Sequence, residues 1–329
     1  MLPVTPLNIF MLPVAFLATL LGIAIYIRVL HRWGNLLTPG ARSMHTAALP
    51  GGAGVVPISV LLACWYLSLN SPTVVQTWLI MAAAGLALLS WADDMMGLPA
   101  APRLLAHAAA VGGSMLLISP ELRAMPWLPL PAERLLEACA WVWFINLFNF
   151  MDGIDGLAGS EATAISLGYI AIVYLANLQG MSGGLAALIA ACMLGYLLWN
   201  WPPARVLMGD AGSIPLGYLF GWLMLELALQ GYWASAMILP LFFCADATFT
   251  LIRRLSGGAS PNQPHRDHYY QRAALACGSH RAVVVAVTAA NSLLIVASIL
   301  ALSSAFWGIC LAVAIVATLM SRFAGMSRK

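Results

Sequence analysis

The chain alternates long apolar stretches with short polar breaks, and the charge-free intervals measure the elements. Pro50 to Ala92 is 43 residues without a charge, with Asn70-Ser71-Pro72-Thr73 as a turn signal inside it. Ala162 to Ala204 is another 43, broken near Asn177–Gly184, and Ala282 to Ser321 is 40, broken at Ser303-Ser304. A helix needs about 20 mostly apolar residues to span a bilayer, so each interval holds two spans. Single spans fit Asn8–Ile27, Arg103–Ser119, Leu135–Met151, Ser213–Leu229 and Tyr232–Ile252. The pattern predicts an all-α, polytopic membrane helix bundle of about eleven transmembrane helices. It forms a single unit over 1–329, with no soluble domain, sequence repeat or low-complexity segment.

Composition supports that reading. Hydrophobic residues make up 62% of the 329 and charged ones only 8%, too few to hydrate the surface of a soluble domain. A net charge of +3 is too small to point to nucleic acid. Six cysteines are scattered without ligand spacing and read as small apolar side chains. No charge precedes Arg28, so the first apolar run lacks the basic leader of a signal peptide and reads as an uncleaved span.

Charge then orients the bundle. With the N-terminus outside, thirteen basic residues fall in inner loops and only Arg123 and Arg134 in outer ones. The C-terminus is then cytoplasmic, and the inner loops cover about 30–52, 92–102, 151–156, 201–212 and 253–281. All seven aspartates fall at the inner side. Every glutamate except Glu161 falls at the outer side.

Five inner segments carry chemistry. Asp93-Asp94 places two carboxylates at a helix end, where repulsion calls for a cation or a proton between them. In Asn149-Phe-Met-Asp152-Gly-Ile-Asp155-Gly, a helix-like turn puts the amide and both carboxylates on one side. Gly209-Asp210-Ala-Gly-Ser213 sets an aspartate before a helix N-terminus. That arrangement suits Mg²⁺ with phosphate. His265-Arg266-Asp267-His268, with Arg253-Arg254 upstream, gathers donors for an anion; a zinc site would need two further ligands. Arg42-Ser-Met-His45 leads into the glycine cluster Pro50-Gly-Gly-Ala-Gly54, which permits close backbone approach. His107 reads equally as a satisfied bundle histidine or a ligand contact. Asp246 lies on the helix face of Arg253.

Together these suit a phosphoryl transfer from a soluble nucleotide diphosphate to a substrate held in the bilayer. In their order along the chain the five segments resemble the polyprenyl-phosphate N-acetylhexosamine-1-phosphate transferase family, which includes phospho-N-acetylmuramoyl-pentapeptide transferase. The Pro-His-Arg-x-His-x-Tyr-Gln form of the fourth resembles the branch that initiates O-antigen. The resemblance implies ten or eleven helices around a cytoplasmic active-site cleft, in a bacterial inner membrane. It implies transfer of a sugar 1-phosphate from UDP-N-acetylhexosamine to undecaprenyl phosphate, with release of UMP. Mg²⁺ is the implied cofactor, Mn²⁺ a substitute, and a homodimer the implied assembly. Carried over by motif, Asp210 and Asp94 resemble metal ligands, and Asp93 and Asp94 the catalytic pair, with Asp93 toward the lipid phosphate. Asn149, Asp152, Asp155, His45 and Arg103 resemble substrate-binding residues, and His265, Arg266 and His268 the pyrophosphate group. Two departures stand out: Ala48-Leu49 replaces a basic residue before the glycines, and Arg103 stands where many members have lysine.

Two rivals fit less well. A secondary transporter would hold its ionisable residues at mid-membrane in broken helices. A CDP-alcohol phosphotransferase would show D-G-x-x-A-R, whereas Asp152-Gly153 is followed by Ile-Asp-Gly.

Overall fold

The computed structural model describes residues 9–33, 44, 49–259 and 265–327. Thirteen α-helices occupy them: α1 (Met11–Trp33), α2 (Val55–Ser68), α3 (Val74–Met96), α4 (Ala100–Leu116), α5 (Leu130–Phe150), α6 (Leu157–Leu175), α7 (Gly183–Asn200), α8 (Asp210–Leu229), α9 (Trp233–Ile238), α10 (Leu241–Ser256), α11 (Tyr269–Cys277), α12 (His280–Ser303) and α13 (Ala305–Met326). No β-strand occurs among the described residues.

All eleven predicted stretches contain helix, and seven helices among the described residues are both long and apolar enough to cross a membrane: α1, α3, α6, α7, α8, α12 and α13. That criterion supports a polytopic bundle without reaching the expected eleven, and each shortfall has a cause. α2 has 14 residues and α4 has 17. α5 has 21 but carries Glu133, Arg134 and Glu137. The predicted Tyr232–Ile252 span is split at Pro240, which lacks the N–H that would continue the helix. Within the expected loop over about 253–281, α10 runs on to Ser256 and the short helix α11 forms. The chain is a polytopic helical membrane protein.

Local chemistry sets several helix starts. Thr73 and Gln76 form a reciprocal capping box at α3. Ser279 and Ser304 cap α12 and α13 through their hydroxyls. Apolar on every face, α8 is the most enclosed of the spans and packs against α3 and α5. The outer helices expose large apolar side chains, such as Leu17, Leu21 and Ile25 on α1 and Phe306 and Trp307 on α13, as a lipid-facing surface requires.

This core arrangement positions the polar residues. α5 carries Glu133 in its first turn and Asn149 in its last, while α8 begins at Asp210 and has Glu226 in its last turn. A helix of about 20 residues is about 30 Å long, so Asn149 and Asp210 sit at the opposite end of the bundle from Glu133 and Glu226.

Candidate functional site

The floor of the aspartate end is two segments of backbone lying against each other. Leu207 N–H donates to Pro50 O at 2.9 Å, Ala53 N–H to Leu207 O at 3.0 Å, and Gly54 N–H to Met208 O at 2.9 Å. Glycine makes this approach possible. A Cβ on Gly54 would lie 2.6 Å from Gly212 N. Gly209 has a φ of +71°, and a Cβ there would lie 2.7 Å from Asp94 Oδ2. Tyr26 on α1 steadies the segment by donating to Gly51 O at 2.8 Å.

Asp93 and Asp94 are adjacent but face different helices. Asp93 is buried; it accepts from Leu98 N–H at 2.5 Å and from Arg103 Nη1 at 2.6 Å. The same Nη1 reaches Asp210 Oδ2 at 3.1 Å, so one guanidinium links the end of α3 to the start of α8. Asp94 instead accepts from Asp210 N–H and Ala211 N–H, each at 3.3 Å. Those are orphan donors of the α8 N-terminus, where a carboxylate is also favoured by the helix dipole. Asn149 Nδ2 donates to Asp210 Oδ1 at 2.7 Å and to Ser213 Oγ at 2.8 Å.

Asp152 completes the cluster. Gly209 N–H donates to it. Its carboxyl is nonetheless held well above the ordinary carboxylate range, first by burial and then by the charges of Asp210 and Asp94. Three acids therefore face one another. No three His, Cys, Asp or Glu side chains among the described residues already stand at metal-holding distances. The donor chemistry nevertheless fits a hard divalent cation. All three side chains offer carboxylate oxygens, and their mutual repulsion is what such an ion relieves.

Asp155 does not join them, contrary to the one-sided turn expected from sequence. Its Oδ2 accepts from Ala204 N–H at 3.0 Å, and His280 Nδ1 lies 3.2 Å from its Oδ1. With Asn200, which accepts from Gly156 N–H and donates to Val206 O, each at 2.8 Å, it ties the turn to residues 201–206 and to α12.

The histidine segment docks on the same turn. Asp246 accepts from Tyr269 N–H at 2.9 Å and Tyr270 N–H at 3.0 Å, and lies 3.3 Å from His268 Nδ1. It thereby fixes the start of α11. Tyr270 Oη donates to Phe150 O at 3.1 Å, and Gly153 leaves the room: a Cβ there would collide with that hydroxyl. The His265 and His268 rings sit 5.2 Å apart. Arg254 pairs with the Asp267 carboxylate and Arg253 donates to Asp267 O at 2.5 Å, so part of the basic cluster holds its own loop. Arg266 is partly buried beside them.

The structure thus brings together Asp93, Asp94, Arg103, Asn149, Asp152 and Asp210, sets His268 beside Asp246, and docks Tyr270 of the following helix against residues 150–153. Asp155 is engaged by Ala204 N–H and His280, and His45 lies outside the described residues. His107 is buried one turn beyond Arg103, with no hydrogen-bond partner at Nδ1 among the described residues. Sequence reasoning missed Asn200 and gave no role of their own to Ser213 and Tyr270, which lie inside its motifs. A hydroxyl two residues after the histidine motif and an asparagine ending an apolar run were the available signals.

The family model described as glycosyl transferase family 4 matches residues 76–228, which run from the first turn of α3 to the last turn of α8. A Bacillus subtilis protein named "Probable undecaprenyl-phosphate N-acetylglucosaminyl 1-phosphate transferase" is 25% identical over 317 residues, covering 89% of this chain and 86% of its own length. The undecaprenyl-phosphate alpha-N-acetylglucosaminyl 1-phosphate transferase of Yersinia pestis is 28% identical over 309 residues, 87% of this chain and 80% of its own. The phospho-N-acetylmuramoyl-pentapeptide-transferase of Rippkaea orientalis is 28% identical over 212 residues, 59% of this chain and 56% of its own.

Proposed function

The chain belongs to glycosyl transferase family 4, and from that premise we propose that it transfers an N-acetylhexosamine 1-phosphate from a UDP-sugar to undecaprenyl phosphate. The observation that carries this reading is the meeting of Asp94, Asp152 and Asp210 at the α8 N-terminus, bridged to Asp93 by Arg103. Carboxylates that repel one another beside backbone donors suit a magnesium-bound diphosphate. Their place at one end of membrane-crossing helices suits an acceptor whose phosphate lies at the bilayer surface.

In this reading a phosphate oxygen of the lipid attacks the phosphorus attached to the sugar. The bond from that phosphorus to the bridging oxygen breaks, and UMP leaves with the electron pair. Direct in-line attack needs positioning and charge neutralisation more than covalent help. Mg²⁺, with Mn²⁺ as substitute, would be held by Asp210 and Asp94 and would neutralise developing charge on the diphosphate when bound. Asp93 and Arg103 orient the lipid phosphate. Asn149 and Asp152 line the nucleotide side, Asp155 fixes the loop behind it, His265, Arg266 and His268 hold the pyrophosphate, and His45 is a further substrate contact. The proposed topology keeps eleven crossings, with the short and broken helices included, the N-terminus outside and the cleft open to the cytoplasm of a bacterial inner membrane. The product would start a lipid-linked envelope glycan, O-antigen among them, and the working unit would be a homodimer.

The test is a donor panel. Purified protein is mixed with labelled UDP-N-acetylhexosamines, N-acetylglucosamine, N-acetylfucosamine and N-acetylquinovosamine among the sugars, together with undecaprenyl phosphate and Mg²⁺. The expected outcome is one strongly preferred donor giving lipid-linked product, and EDTA stopping it. No product from any donor would overturn the reading.

A further inference from the structure

Glu161 is the one glutamate away from the opposite end, and the cluster above does not use it. It sits on α6 one turn past the Asp152–Gly156 turn and is fully buried. Its partner is Asn291 of α12, also buried, whose Nδ2 donates to Glu161 Oε2 at 2.6 Å. The two remaining oxygens, Glu161 Oε1 and Asn291 Oδ1, are buried with no hydrogen-bond partner. Both belong to the same two side-chain head groups.

An ionised carboxylate offers only acceptors, so it leaves both of these oxygens unmatched. No basic residue lies within reach along either helix. α6 contains no lysine or arginine, and Arg281 is ten residues from Asn291, about 15 Å along α12. Cys244 of α10 is the other titratable side chain nearby, and no hydrogen bond from its thiol reaches Oε1. A carboxylic acid O–H is a donor, and one proton on Oε1 satisfies both orphans at once.

We propose that Glu161 carries a proton and forms with Asn291 a closed carboxylic acid–carboxamide pair, two antiparallel hydrogen bonds that fasten α6 to α12 without placing a charge in the membrane. Glu161 is thereby a positioning residue. α6 starts immediately after the turn that bears Asp152, so fixing the depth and rotation of α6 fixes that turn.

The experiment uses the full-length protein in detergent or nanodiscs. Infrared difference spectra between wild type and Glu161→Gln should show the carbonyl band of a protonated acid lost in the variant, with the band in wild type unchanged from mildly acid to mildly alkaline buffer. Glu161→Gln should keep the melting temperature and the turnover within about twofold, because its carboxamide donates and accepts in the same places. Glu161→Ala and Asn291→Leu should each lower the melting temperature and raise the donor KM. The double variant should cost no more than the worse single one. The infrared and thermal measurements are independent of the transferase reading, whereas the KM arm rests on it. A carboxylate band lost in Glu161→Gln, or a Glu161→Gln protein that melts like Glu161→Ala, would overturn the proposal.

Discussion

Glu133 and Glu137 at the start of α5, and Glu226 in the last turn of α8, all meet donors. Glu133 is paired with Arg123 and accepts from Met125 N–H at 2.8 Å. Glu137 takes Arg134 Nη1 at 2.7 Å, while Nη2 of that arginine donates to Leu122 O at 2.5 Å. Glu226 accepts from Tyr169 Oη and, at 3.1 Å, from both Ser182 N–H and Ser182 Oγ. These acids pin the 117–129 connection and the start of α7. At the other end of the same two helices, Asp94, Asp152 and Asp210 face one another, and Arg103 is the cation brought among them. The contrast separates acids spaced apart to fasten chain from acids that, though hydrogen-bonded, are crowded against one another as a ligand site requires.

Asp210→Asn probes the ligand end most directly. It should cut turnover by about a thousandfold while leaving the melting temperature near wild type. Wild-type turnover would remove Asp210 from the site and erase the contrast. Glu133→Gln is its counterpart. It strands Arg123 and should destabilise the protein by about 3 kcal/mol, read as a lower melting temperature with kcat/KM unchanged in the folded fraction. Gly209→Ala should do both moderately. It forces a side chain onto left-handed backbone and against Asp94, costing about 1–3 kcal/mol and slowing turnover. The smallest effect concerns pH. The folded state favours neutral Asp152, so without divalent cation the contribution of Asp152 to stability is fully present below the unfolded carboxylate value of about 4. Stability then falls as pH rises towards the raised value in the fold. Mg²⁺ should flatten that slope in thermal scans; an unchanged slope would mean that no cation binds near Asp152.

The helices were legible because a spanning segment must be long and apolar, and Pro50–Ala92 or Ala282–Ser321 can hardly be anything else. Pro240 was visible too, though its power to split a span is clear only once α9 and α10 are seen. α11 was missed, since nine residues of mixed polarity in a long loop carry little periodic signal. The candidate site was legible as a set of residues but not as a geometry. Asp93 parts from its neighbour because α4 brings Arg103 to it. Asp155 parts from Asp152 because residues 201–206 and His280 arrive from elsewhere in the chain. Neither partner is local, so no spacing rule could foretell it. Asn291 was invisible for the same reason: its meaning depends on the helix opposite.

Arg103 has a practical consequence. A guanidinium tethered to α4 cannot be dialysed away, so the acids it bridges keep a counter-charge in any buffer. A preparation taken through chelator should remain folded yet silent, and wake on adding back the ion. Protocols that fear losing the metal, and inhibitor screens run in its absence, would then be working with an intact resting form rather than a damaged one.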